Sequence, residues 1–382
     1  MKKKMHPIKW IIILGSIIWS LYIVIPLLAT GYLHSPLSYK TSFSYDFKFN
    51  STRAYDIIQK QVNLGPRYPG SEGIQKIRGL IASEILPTQK WVISYQNFSK
   101  NWIDGQEVKL VNIICNPIDR NTTEQSFFLM AHYDTRLWAD EDPNPSKQEE
   151  HVLGANDGAS GVAIVLELGR VLLEDYNVTN FQLIFFDGED QGGIHGWDWL
   201  VGSRFYVESE RFRSQNLSFA ILFDMVAGKD ATFKREKYSD QYVGKLVNQI
   251  WNEAANLGFS NYFLNQSGDH ILDDHFPFIQ KGFSAIDIID DFVHRFKPWH
   301  TSFDNMTFID TKTLEAVGYT LESVLIHLSA SMEWLFSLST FQFQTSIIFF
   351  DFLNGYLLIT FETIYRKRRN SHKRIYQFFI EN

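Results

Sequence analysis

The chain has 382 residues, 45% of them hydrophobic and 21% charged, with a formal net charge of -7. That composition is too apolar for a disordered chain, and an acidic balance with no extended basic block in the central region argues against nucleic acid as a partner. A single cysteine, Cys115, excludes an intramolecular disulfide framework and any multi-cysteine metal site; within Val111–Cys115 it reads as a buried strand residue.

Four lysines, Lys2, Lys3, Lys4 and Lys9, precede an uncharged apolar run from Trp10 to Ala29. Its length suits a transmembrane helix. The basic flank predicts a cytoplasmic amino end and a catalytic domain outside the cytoplasm, whether periplasmic, extracellular or lumenal. A cleaved signal peptide is the competing reading. Residues 1–30 are read as cytoplasmic stub and single-pass anchor, 31–53 as a connector and 54–335 as an α/β catalytic domain. Residues 336–382 read as a hydrophobic segment with a basic tail. Within it, Ser346–Thr360 is apolar but interrupted by Asp351, which favours an interfacial or packed helix over a second span.

Residues 54–86 read as helical, broken at Gly65–Gly70. Apolar strands follow at Val108–Cys115, Phe127–Ala131, Phe181–Phe186, Phe219–Phe223 and Ser284–Ile289. Helical spacing appears over Gly161–Leu173, Leu246–Ala255 and Thr313–Leu328. Strands alternating with helices predict a sheet covered on both faces. There is no dinucleotide fingerprint and no P-loop.

The polar residues fall at strand ends. Three strands run into His132-Tyr133-Asp134, Asp187-Gly188-Glu189-Asp190 and Asp224, and open α/β sheets bind ligands outside the carboxyl ends of their strands. Asp157 lies in the glycine-rich turn Gly154–Gly161, as a helix cap or as a metal ligand. Of the adjacent acids Glu189 and Asp190, one can bind a metal while the other stays free as a base. His132, Asp157, Glu189, Asp190, Asp224 and His300 offer nitrogen and oxygen donors without cysteine, a set that suits zinc. Zinc beside a free carboxylate supports peptide hydrolysis or intramolecular acyl transfer. Asp140, Glu141 and Asp142 read as solvated acids, and His195 as a loop histidine.

At these residues the chain resembles the M28 metallopeptidase superfamily, and within it the glutaminyl-peptide cyclotransferases, over roughly residues 50–335. The resemblance implies a three-layer α/β/α fold with a mixed, mostly parallel central sheet, to which the sequence adds the N-terminal transmembrane helix. It implies two zincs in a peptidase, on positions matching His132, Asp157, Asp190, Asp224 and His300, with Glu189 as general base. Two features are similar to the cyclase branch: Asp273-Asp274-His275 followed by Phe276-Pro277-Phe278, and Trp299 before His300. In that branch one zinc sits on Asp157, Asp190 and His300. Glu189, Asp273 and Asp224 then form the catalytic acid network. Trp299, Trp197 or Trp199, and His275 shape or support the pocket, while His132 and Asp224 serve as second-metal ligands in the peptidase alternative. The Glu189-Asp190 pair and the Gly154–Gly161 turn depart from the animal cyclases. The implied substrate is the amino terminus of a peptide or protein, whose glutamine is cyclised with loss of ammonia. A di-zinc aminopeptidase is the alternative. The expected partners are such termini and, through the anchor, a membrane; a monomer is slightly favoured.

Overall fold

Strands whose inward residues are almost all apolar pair into one six-stranded sheet. A computed structural model describes residues 46–102, 105–293 and 298–331. The elements in chain order are α1 (Ser51–Val62), α2 (Glu72–Ile85), β1 (Trp91–Asn101), β2 (Glu107–Pro117), β3 (Ser126–His132), α3 (Ala159–Arg170), β4 (Phe181–Phe186), α4 (Val201–Glu208), α5 (Glu210–Arg213) and β5 (Leu217–Asp224). Then come β6 (Phe233–Arg235), α6 (Lys237–Asn256), β7 (Phe263–Ser267), α7 (Phe276–Gln280) and β8 (Ala285–Ile289), followed by a helix over residues 311–331, here α8. The β1–β2 and β2–β4 pairings are antiparallel, and β3 with β4, β3 with β5, and β5 with β8 are parallel.

The sheet is buried on both faces. On one, β-strand residues such as Leu129, Leu183 and Ile221 pack with α1, α2, α3, α6 and α8. On the other, Phe128, Met130, Ile184 and Leu222 meet Tyr206, Phe212 and Phe278 of α4, α5 and α7. This is the three-layer mixed sheet expected, and Cys115 is buried within it. Burial pushes its thiol pKa up.

The four parallel strands end on the same edge, so His132, Asp224 and the residues after β4 and β8 share one rim. Helix α3 docks there because Gly161 lets it approach β5: a methyl group on Gly161 would lie 2.1 Å from the Phe223 carbonyl oxygen.

One part of the expected fold is corrected. No helix among the described residues is long and apolar enough to cross a membrane. The long helices α6 and α8 carry charged residues along their length, Lys237, Asp240, Lys245 and Glu253 on the first and Lys312, Glu315 and Glu322 on the second. These charges would cost too much in hydrocarbon. The run Trp10–Ala29, on which the N-terminal anchor, the membrane partner and the single-pass topology rested, lies outside the described residues, as does Ser346–Thr360. The described structure therefore supports neither that topology nor membrane anchoring.

Candidate metal centre

The turn leading into α3 sets Asp157. Gly154 (φ 59°) and Gly158 (φ 92°) adopt left-handed backbone conformations, and a methyl on Gly158 would press to 2.6 Å of the Asp134 carbonyl oxygen. Only glycine fits both demands. The buried Arg67 guanidinium anchors the loop by donating to the carbonyls of Leu153 (2.8 Å) and Gly154 (2.8 Å). Asp304 fixes the other side, accepting from the backbone N–H groups of Asn156 (2.7 Å) and Asp157 (3.1 Å). Burial, then the Asp157 charge, raise its pKa to about 8.

The Glu189-Asp190 pair is set by Asp134, which sequence reasoning left without a role. Its carboxylate accepts from the N–H groups of Glu189 (3.0 Å) and Asp190 (3.3 Å) and from the Gln191 amide (3.1 Å). The signal available was its place two residues after His132, on the same strand end.

Two buried triads result, His132–Asp157–Asp224 and Asp157–Asp190–His300, with the donor atoms of each within 4.8 Å of one another. Asp157 belongs to both. His132 Nε2 lies 3.1 Å from Asp157 and 3.2 Å from Asp224. His300 Nε2 lies 2.7 Å from Asp190 and 3.8 Å from Asp157. His300 has a left-handed φ of 56°, an uncommon conformation of the kind that collects at functional sites.

The donor set fits a divalent cation. Asp190 Oδ2 is buried without a hydrogen-bond partner, and unpaired buried carboxylate oxygens are costly unless something positive faces them. Electrostatics point the same way. Burial, then the charge of Asp157, push up the carboxyl pKa values of Asp190 and Asp224. Burial, with Asp273 and Asp190 working against His132, raises Glu189 well above the ordinary carboxylate range. Asp157 goes the other way, because His132 and His300 outweigh its burial. Oxygen and imidazole donors without sulfur suit zinc. The site has ligands for one zinc on the Asp157–Asp190–His300 triad and for a second on the other.

A pocket of about 220 Å³ opens on this cluster, lined by Asp157, Glu189, Asp190, Asp224 and Asp273 and by apolar residues including Met225, Ile271, Leu272, Ile289, Phe292, Trp199 and Trp299. Burial, followed by the Asp224 charge, brings Asp273 to about 7. Trp299 stacks on His300 at 3.7 Å, and Trp199 does so at 5.8 Å. Of the two candidate tryptophans, Trp199 lines the pocket. Trp197 is buried against Trp102 and donates to the Asn101 carbonyl. His275 is also buried behind the pocket, 3.3 Å from Glu236. The acids expected to be solvated are not all so: Asp142 is buried and accepts from Ser302 (2.9 Å from its N–H), and Asp140 pairs with Arg136.

Residues 112–325, more than half of the chain, match the model of peptidase family M28. The chain belongs to peptidase family M28. Among M28-like solved structures, the Porphyromonas gingivalis glutaminyl cyclase is 34% identical, with a TM-score of 0.68, covering 73% of this chain and 99% of that one. A Zn-dependent exopeptidase from Parabacteroides distasonis is 33% identical, with a TM-score of 0.68, covering 73% of this chain and 98% of that one. The glutaminyl-peptide cyclotransferase of Bos taurus is 27% identical over 292 residues, 67% of this chain and 76% of that protein.

Proposed function

We infer that this M28 chain is a glutaminyl-peptide cyclotransferase, which closes amino-terminal glutamine of peptides or proteins to pyroglutamate and releases ammonia. The observation that carries the reading is the carboxylate Glu189 on the pocket wall beside the Asp157–Asp190–His300 triad, in a chain that over 73% of its length shares the fold of bacterial glutaminyl cyclases.

Asp157, Asp190 and His300 would hold a zinc ion, which would supply a Lewis acid for the side-chain amide carbonyl of the glutamine. Glu189 accepts a proton from the α-amine as that nitrogen attacks the carbonyl carbon of the side-chain amide. The new C–N bond closes the ring. When the original C–N bond breaks, the Glu189 carboxyl returns the proton to the departing nitrogen, which leaves as ammonia. A raised pKa suits a group that must take and return the same proton near neutrality. Asp273, on the same wall, shares the acidic network with Glu189 and Asp224, its carboxyl pKa raised to about 7 by burial and the Asp224 charge. Trp199 and Trp299 flank the glutamine methylenes and exclude water. The nucleophile and electrophile belong to one residue, so little positional entropy remains to be lost.

Replacing Asp273 with serine tests the acidic network. The expected result is bound zinc unchanged and cyclisation reduced about a hundredfold, within the usual range for loss of an acid–base group. Undiminished turnover would remove Asp273 from the chemistry.

A further inference from the structure

The loops after β3 and β4 are joined by Arg136, a residue that the chemistry above does not use. Arg136 is 5% exposed, and its guanidinium has four polar contacts. Nη1 donates to the carbonyl oxygens of Asp190 (3.1 Å) and Gly192 (3.0 Å). Nε and Nη2 form a two-pronged pair with Asp140 at 3.0 and 2.5 Å. The same group lies 4.9 Å from the centre of the Trp199 ring, a cation–π distance. Asp140 in turn approaches His300 Nδ1 at 3.8 Å.

Gly192 completes the unit. A methyl group there would lie 2.1 Å from the Trp199 indole, so the ring rests directly on the backbone whose carbonyl Arg136 holds. Trp199 lines the pocket and stacks on His300 at an interplanar angle of 13°. One guanidinium therefore grips the backbone of Asp190, the wall residue Trp199 and, through Asp140, the far side of His300.

We propose that Arg136 is a positioning residue that fixes the Trp199 wall against Gly192 and thereby sets how tightly the pocket holds the substrate side chain. A planar fork is needed, since a lysine ammonium cannot donate in two fixed directions and lie over the indole at the same time. The proposal rests on the cyclase reading of the pocket, and it assigns Arg136 to binding and not to proton transfer.

The test is a double-mutant cycle of Arg136→Lys and Gly192→Ala, read as KM and kcat on a glutaminyl peptide, with zinc content measured on each protein. The Gly192→Ala change keeps Arg136 and displaces the ring by another route, and the backbone there is not left-handed. Each single variant is expected to raise KM about tenfold with kcat within about threefold, as for the loss of one pocket contact, and to keep its zinc. The double variant is expected to be no worse than either single, because both release the same ring. A fall in kcat at constant KM, additive effects, or loss of zinc from Arg136→Lys would overturn the proposal. Ammonia release by the unmodified protein is measured alongside; its absence would overturn the cyclase reading instead, leaving the Arg136 assignment to be judged by peptide binding in the same four proteins.

Discussion

The division of labour between adjacent residues decides what the site can do. Asp190 and Glu189 receive their backbone positions from the same Asp134 carboxylate, yet only Asp190 is close to His300. The neighbouring carboxylates should therefore separate cleanly on mutation. Glu189→Gln should keep zinc and lose turnover by about 10²- to 10⁴-fold, the range for removal of a positioned acid–base group. Asp157→Ala, which removes the acid common to both triads, should lose zinc as well as activity. Elemental analysis paired with an ammonia assay distinguishes the two, and a zinc-free Glu189→Gln protein would contradict the assignment.

Glu236 gives a residue-scale pH effect away from the metal. It caps α6, accepting from Tyr238 N–H (2.9 Å), Ser239 N–H (2.6 Å) and the Ser239 hydroxyl (2.7 Å), and it also accepts from Ile271 N–H on the pocket wall (3.1 Å). Burial alone would raise its pKa, but His275 and the Ser239 donors prevail and lower it from 4.5 to about 2. A carboxyl with a depressed folded-state pKa stabilises the fold above its unfolded value, and that contribution is lost as pH falls through the folded value. The window is thus from 4.5 down to about 2. Glu236→Gln should lower stability at neutral pH and flatten the acid limb inside that window. Urea titrations at stepped pH measure both; an unchanged acid limb would show that the cap contributes nothing through its charge.

At the scale of elements, the sequence made the strands at the centre of the sheet legible and hid those at its margin. The expected strands at Val108–Cys115, Phe127–Ala131, Phe181–Phe186, Phe219–Phe223 and Ser284–Ile289 correspond to β2, β3, β4, β5 and β8. They sit between two covered faces, which demands continuous apolar runs. Strand β1 was not visible because it is the sheet edge: Val92, Tyr95, Asn97 and Ser99 are exposed, leaving no apolar run to detect. The first half of α6 escaped for a similar reason, since its buried positions begin in earnest only at Leu246. Four members of the two triads were legible because they stand after a strand end (His132, Asp190, Asp224) or in a glycine turn (Asp157), whereas His300 lies in a turn with neither signal. The choice between Trp197 and Trp199 was not, because it depends on a loop where His195 (φ 48°) and Leu200 (φ 63°) are left-handed. Arg136 was not legible as part of the pocket, because the nearby Asp140 reads as an ordinary surface pair while the two backbone carbonyls it holds are 54 and 56 residues away.

The junction of α3 with β5 transmits the fold to the site. A methyl on Gly161 would meet the Phe223 carbonyl oxygen, a backbone atom that cannot rotate aside. Gly161→Ala should therefore push α3 from the sheet, destabilising the domain by about 1–3 kcal/mol, the range for overpacking a core, and weakening zinc binding because Asp157 immediately precedes this helix. Denaturant unfolding and zinc competition check the two effects; wild-type values in both would mean that the helix has room to spare.

On the scale of the whole molecule, an M28 domain has been fitted with a pocket that is acidic on one wall and aromatic on the other. Ligands for two cations lie at one rim, which makes hydrolysis the chemistry to be distinguished from ring closure. Both act at a peptide amino terminus, and they differ in product. The most direct test is to give the purified, zinc-loaded protein a peptide beginning with glutamine and one beginning with leucine, and to follow ammonia and free amino acid together. Ring closure predicts one ammonia released for each glutaminyl peptide, with the peptide retained as its pyroglutamyl form and the leucyl peptide left intact. Release of free glutamine or leucine without ammonia would contradict it.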